Sequence, residues 1–170
     1  MSRAAAPAAD SAAALPPRRN PDLWGHEAAE RLLLSAWSSG RMPHAWLIGG
    51  PPGIGKATLA FRFARFVLAN PSPQAAGGLF GAAALPETLA LSSDDPVFLR
   101  VASGGHSDVL TIERQMDEKR WQMKRDIAVD DVRRIAPFLR RTAAEGGWRV
   151  AVIDGADRMN TSGLNAILKI

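Results

Sequence analysis

A glycine-rich segment at residues 49–58, GGPPGIGKAT, constrains this chain more than any other feature. It matches the phosphate-binding pattern G-x-x-x-x-G-K-[ST] through its lysine, with Gly50, Gly55 and Lys56 at the fixed positions. In such a loop, glycines let backbone N–H groups approach phosphate oxygens, and the following helix adds the positive end of its dipole. The segment therefore predicts a strand, a loop and a helix in succession, with a phosphorylated ligand at the loop.

The residues on both sides of the loop support this interpretation. Residues 45–48, AWLI, form a short apolar run that predicts the strand. After the loop, apolar residues recur at helical spacing; they are Leu59, Ala60, Phe63, Ala64 and Val67. A Gly/Pro-rich turn that merely precedes a helix would leave this two-sided context unexplained. The predicted nucleotide-binding residues of the loop are Gly50, Gly53, Ile54, Gly55, Lys56, Ala57 and Thr58.

One position of the loop departs from the pattern. Ala57 stands where such loops place the Ser or Thr hydroxyl that ligates Mg²⁺ between the β- and γ-phosphates, and alanine offers no oxygen. Thr58 cannot simply replace it, because adjacent helical residues point about 100° apart. We therefore expect ATP or ADP as the ligand, with weak or absent Mg²⁺ and no metal site built by the protein.

A second motif lies at residues 148–157, WRVAVIDGAD. Its apolar run predicts a strand over 150–153 that ends in Asp154, the usual form of the acidic strand that serves a phosphate loop's metal. Lys56 and Asp154 are thus predicted to face one site. Gly155 follows where active ATPases of this type often carry a water-polarising glutamate, and we expect Asp157 to cap the next element instead. ATPase activity and catalytic residues are predicted to be absent.

Length and composition set the organisation of the chain. With 170 residues and an apolar fraction of 46%, we expect a single domain. Residues 1–20 predict a disordered Ala/Pro-rich tail, residues 21–170 a partial nucleotide-binding domain, and residues 70–105 a flexible insertion. No run reaches the roughly 18 apolar residues that span a bilayer. We therefore expect no membrane association, and a cytoplasmic location.

Two further compositional features limit the function. The absence of cysteine excludes disulfides and thiolate zinc sites. The formal charge of +4 is mild, and permits contact with nucleic acid or an acidic partner without requiring either.

The remaining elements predict an α/β fold. Apolar spacing indicates a first helix over residues 27–38, a strand over 109–112, a helix that Asp130 caps and Pro137 kinks, and a last helix over 161–170. Strands that alternate with helices predict a parallel sheet with helices on both faces. Ligands of such sheets bind beyond the carboxyl ends of the strands.

Five segments together resemble the AAA+ clamp-loader family of DNA replication. They are LWGHEAAERLL (23–33), RMPHAWLIGGPPGIGKATLA (41–60), GGHSDVLTIE (104–113), IAVDDVRRI (127–135) and RVAVIDGADRMNTSGLNAILK (149–169). The resemblance implies the P-loop NTPase (AAA+) fold. It also implies the role of a hydrolysis-deficient, stationary subunit in a ring that places a sliding clamp on primed DNA, with the other loader subunits as direct partners.

The resemblance also assigns residues. Trp24 and Gly25 match the family segment that approaches the adenine, Lys56 matches the phosphate lysine, Asp154 the acidic-strand aspartate, and Thr58 a loop position that touches the α-phosphate. Related subunits often carry a four-cysteine zinc module after the phosphate-loop helix, which this chain lacks. We expect a fragment or a truncated gene product with an incomplete sheet. Two alternatives stay open: an active AAA+ ATPase of the motor type, and a P-loop kinase.

Overall fold

The computed structural model describes residues 15–73, 77–78, 81–82, 85–117, 120–145 and 147–170. Its helices are α1 (Glu27–Ser38), α2 (Lys56–Ala69), α3 (Pro96–Ser103), α4 (Val129–Arg133), α5 (Ile135–Leu139) and α6 (Thr161–Ile167), with 3₁₀ turns at Pro17–Arg19 and Ala156–Arg158. Its strands are β1 (Gly77–Gly78), β2 (Gly81–Ala82), β3 (Val109–Ile112), β4 (Met116–Asp117), β5 (Gln122–Met123) and β6 (Val150–Ile153).

The central sheet consists of β3 and β6, which pair in parallel from Val109 opposite Val150 to Ile112 opposite Ile153. Antiparallel pairs β1–β2 and β4–β5 lie outside it. Successive side chains of a strand point to opposite faces. Accordingly, Val150 and Val152 pack with α2 and α3, while Ile112 and Ile153 pack with α4 and α6. The predicted α/β fold, with a parallel sheet and helices on both faces, is confirmed.

The strand predicted over residues 45–48 is wrong. These residues alternate as a strand would, since Trp46 and Ile48 pack against the α1–α2 core while Leu47 is 92% exposed. A strand also requires a hydrogen-bonded neighbour, and among the described residues no ladder includes this run. The apolar run thus indicated an extended segment but not its pairing.

The main core joins α1, α2 and the segment before α3. Its buried members are Leu33, Trp37, Leu59, Phe66, Val67 and Leu89. The rings of Trp37 and Phe66 meet edge to face, with their centroids 5.0 Å apart. Such a pair stabilises by about 0.5–1.5 kcal/mol beyond its buried area. The bounds of α1 are those predicted.

Two segments predicted to be flexible are in part packed. Leu89 has no exposed surface, and α3 begins at a cap in which the Asp95 carboxylate accepts from Val97 N at 2.7 Å. Residues 85–105 of the predicted insertion therefore contain a buried leucine and a capped helix, and its flexibility stays a prediction. Likewise residues 15–20, predicted as tail, contain a 3₁₀ turn that contacts α2 and α3. Residues 1–14 and, within the insertion, 74–76, 79–80 and 83–84 lie outside the described residues.

The helix predicted from Asp130 differs in its start and continuity. Ala128 is the N-cap, and Asp130 lies in the first turn with its carboxylate 2.8 Å from the guanidinium of Arg133. The helix divides into α4 and α5 at Arg134. Pro137 lacks the N–H that would donate to the carbonyl four residues earlier, which explains the predicted kink.

A buried aspartate joins the loop before β3 to the turn before β6. Asp108 is 1% exposed, and its carboxylate accepts from Ala144 N at 2.9 Å and Glu145 N at 3.3 Å. Arg149 Nε lies 3.6 Å from the same carboxylate. His106 Nδ1 in turn accepts from Asp108 N at 3.2 Å. These bonds fix the ends of the two parallel strands relative to each other.

Candidate nucleotide-binding site

The phosphate loop turns sharply into α2. Gly53 and Gly55 have φ angles of 77° and 100°, a region that residues with a Cβ seldom adopt. Gly55 is the N-cap of α2, so that Lys56 is the first residue of the helix. The glycines at these positions therefore permit the turn that brings the loop back over the helix N-terminus.

The loop presents free donors. Among the described residues, no hydrogen bond uses a backbone N–H of residues 49–58 as its donor. Lys56 Nζ donates to the loop's own carbonyls, to Gly50 O at 2.8 Å and Pro51 O at 2.7 Å. Unpaired N–H groups at the N-terminus of a helix are the donors that phosphate oxygens accept. The loop therefore fits a phosphate group, and Lys56 lies within it.

The two residues after the lysine have different surroundings. Ala57 is partly exposed, whereas Thr58 is buried in the α2 packing. The Thr58 hydroxyl thus belongs to a buried residue, and the more accessible position carries only a methyl group.

The segment over residues 23–26 lies against the loop. His26 Nε2 is 2.6 Å from Ile54 O, and because a carbonyl only accepts, Nε2 must carry the proton. A Cβ on Gly55 would lie 3.2 Å from Leu23 Cδ1 and 3.4 Å from His26 Nε2. Trp24, between these contacts, is 85% exposed.

Trp24 and Gly25, the two residues assigned to the adenine, are thus held beside the loop. The sequence alone did not single out His26 for this contact. The sequence feature that could have indicated this contact is the position of His26 directly after Trp24 and Gly25.

Asp154 directly follows β6. The Asp154 N–H extends the β3–β6 pairing by donating to Ile112 O at 2.9 Å. Asp154 itself is partly exposed. The sheet strand before it packs on α2 through Val152, which contacts Phe61 and Ala64. Within the described residues, Lys56 and Asp154 form no ion pair, because the ammonium group is bound to the loop carbonyls. The structure therefore places the two predicted partners on packed elements without joining them.

Gly155 follows Asp154 where active ATPases of this type often carry a glutamate, and the next carboxylate along the chain is Asp157. Gly155 has a φ of 81° and starts a 3₁₀ turn, and Asp157 within that turn is exposed, 3.4 Å from Arg158 Nε. The predicted capping role of Asp157 is wrong, because Asn160 caps α6 by accepting from Gly163 N at 2.9 Å. A side chain directed to solvent next to an arginine is poorly placed to act as a general base.

A family model described as DNA polymerase III, delta subunit, matches residues 25–170. The chain belongs to this family. The DNA polymerase III subunit delta' of Pseudomonas aeruginosa is 36% identical over 126 residues, which are 74% of this chain and 32% of that protein. The replication factor C small subunit of Methanocella arvoryzae is 47% identical over 49 residues, 29% of this chain and 15% of that protein. The chain thus spans about a third or less of the curated relatives it matches.

Family membership agrees with the AAA+ fold predicted from the five segments. In the described part of this family member, no group of three or more His, Asp or Glu side chains is arranged to hold a metal ion. Among the described helices, none is both long enough and apolar enough to cross a bilayer. The candidate site is the phosphate loop with the 23–26 segment beside it.

Proposed function

We propose that this chain is the nucleotide-binding part of a clamp-loader subunit that holds ATP or ADP without hydrolysing it. One observation carries the proposal: the loop keeps its free N–H donors and Lys56, while Ala57 and Gly155 replace the two groups that hydrolysis needs. Membership of the DNA polymerase III delta subunit family supports the replication role. The assembled loader would place a sliding clamp on primed DNA.

Binding is proposed to proceed by exchange of hydrogen bonds at the loop. The phosphate oxygens would accept the unpaired N–H groups, and Lys56 would leave Gly50 O and Pro51 O to meet a phosphate. The base would lie near Trp24 and Gly25. Asp154 is the only negatively charged side chain among the predicted nucleotide-binding residues. Mg²⁺ would therefore add little to the affinity for the nucleotide.

The proposed partners are the other clamp-loader subunits, with the sliding clamp and primed DNA reached through the complex in the cytoplasm. The net charge of +4 is mild, and several arginines are already paired: Arg133 with Asp130, Arg134 with Asp131, and Arg100 with Glu145. A surface of mixed sign favours protein partners over autonomous DNA binding. Tight, sequence-independent binding of this chain to duplex DNA at physiological salt would contradict this assignment.

Calorimetry tests the nucleotide site directly. ATP is titrated into the wild-type chain and into Lys56→Ala, each with Mg²⁺ and with EDTA. We expect measurable binding to the wild type, loss of it in Lys56→Ala, and little change on chelation. The exposed Lys169, at the other end of the chain, supplies the matched control Lys169→Ala, which should bind as the wild type does. A loss of roughly a hundredfold on chelation, about 2.7 kcal/mol, would mean that the protein supplies a metal ligand.

A further inference from the structure

Two arginines of α2 bind the chain segment before α1, whose residues 23–26 lie against the phosphate loop. Arg65 Nη1 donates to Arg18 O at 3.1 Å, and Arg65 Nη2 donates to Asn20 O at 3.0 Å. One turn earlier, Arg62 Nη1 donates to Pro21 O at 2.6 Å. Three anchor points within residues 18–21 thus come from side chains of the helix that begins at the phosphate loop.

Both arginines are fixed by their surroundings. Arg65 is 2% exposed, with its guanidinium carbon 4.3 Å from the ring centroid of Phe98 on α3. Arg62 pairs through Nε with the Glu30 carboxylate of α1. Burial, and secondly the charge of Arg62, lower the pKa of Arg65 to about 10, so the guanidinium stays protonated at neutral pH. A buried guanidinium is costly unless its donors are bonded, and here backbone carbonyls accept them.

The same segment meets the phosphate loop two to five residues after Pro21. Leu23 and His26 contact the loop at Gly55 and Ile54, while Trp24 between them stays exposed. Residues 18–26 are therefore held at both ends, by the arginines of α2 and by the loop. The exposed indole of Trp24 lies in the part of the segment that these anchors enclose.

We propose that Arg62 and Arg65 are positioning residues for the base of the bound nucleotide, because they fix residues 18–26 against the phosphate loop. The inference rests on the nucleotide site proposed above. Ordering a loop at the moment of binding reduces affinity, and a segment ordered beforehand avoids that cost. The arginines do not touch the phosphates in this scheme, so they affect the base half of the ligand alone.

The test separates the two halves of the ligand by comparing ATP with inorganic tripolyphosphate in the whole 170-residue chain. Arg65→Met removes both carbonyl bonds and keeps an apolar side chain over Phe98. We expect ATP affinity to fall about tenfold, the equivalent of one hydrogen bond, and tripolyphosphate affinity to change less than twofold. A purely structural arginine would weaken both ligands equally.

Arg149→Met is the matched control. Arg149 also stacks on a phenylalanine, with its guanidinium carbon 4.2 Å from the Phe138 centroid, and donates to two carbonyls, Thr142 O and Ser107 O. It lies far in sequence from the loop segment, so its loss should reduce stability without changing the ratio of ATP to tripolyphosphate affinity. Folding of each variant is checked by far-UV circular dichroism at the assay temperature.

Three results would overturn the inference. The first is an unchanged affinity ratio in Arg65→Met while the wild type binds ATP. The second applies if Arg65→Met does not fold, in which case Arg62→Lys is used. This variant keeps the charge beside Glu30 but loses the planar guanidinium, and an unchanged ratio of ATP to tripolyphosphate affinity in it would contradict the proposal. The third is an absence of ATP binding to the wild type, which would remove the proposed nucleotide site as well.

Discussion

Replacement of Asp108 should destabilise the chain more than its single carboxylate suggests. The residue is buried, and its oxygens accept two backbone N–H groups of the turn before β6 while Arg149 lies 3.6 Å away. Hydrogen bonds to a charged group contribute about 1.5–3 kcal/mol. Asp108→Asn keeps the shape but presents an amide where the carboxylate accepted, so we expect a loss of about 2 kcal/mol in the free energy of unfolding.

Asp108→Ala should cost about 3–5 kcal/mol, because it also leaves the mostly buried Arg149 without a counterion. Urea denaturation followed by far-UV circular dichroism measures both values. Asp94→Asn, a change of the same kind at an exposed position, should stay within about 0.5 kcal/mol. A loss below about 0.5 kcal/mol in Asp108→Asn would refute the view that this aspartate ties the ends of β3 and β6 together.

Two further predictions concern His106 and the packed part of the insertion. Burial, the largest cause, lowers the pKa of His106 below its usual 6.5. The histidine therefore takes up a proton more readily in the unfolded chain than in the folded one. The free energy of unfolding should accordingly fall as the pH drops through about 6.5. His106→Asn, which retains an acceptor for Asp108 N, should reduce that slope in urea titrations at pH 7 and pH 5; an unchanged slope would assign it to other groups. Leu89→Ala should lower the free energy of unfolding, measured by denaturation, by about 2–5 kcal/mol. The same change at the exposed Leu99 should lower it little, and equal losses would contradict the burial of Leu89.

The local sequence pattern predicted the exact first and last residues of several helices and strands. The bounds of α1, β3 and β6 follow from apolar periodicity, which reports directly which side chains must be buried. The loop glycines and Lys56 were likewise evident, because the turn requires those residue types at that spacing. These features depend on residues close together in sequence, and sequence alone determines them.

Features that depend on distant partners were missed. Arg62 and Arg65 look like the solvated face of a helix, yet their acceptors lie more than 40 residues earlier in the chain. Leu89 lies in a Pro/Ala/Gly-rich stretch whose composition suggests a loop, but the core formed by α1 and α2 buries it. For residues 45–48, the apolar run indicated an extended segment, whereas a strand also requires a hydrogen-bonded neighbour that the local sequence does not reveal.

Steady-state ATP turnover by the purified chain tests the central claim most directly. With saturating ATP and Mg²⁺, the loss of the hydroxyl at Ala57 and of the carboxylate at Gly155 predicts a background rate, in the wild type and in Lys56→Ala alike. Ala57→Ser alone should not restore turnover, because the water-polarising group stays absent. Turnover at roughly 1 s⁻¹ or faster, abolished by Lys56→Ala, would contradict the account of a subunit that binds nucleotide without hydrolysing it.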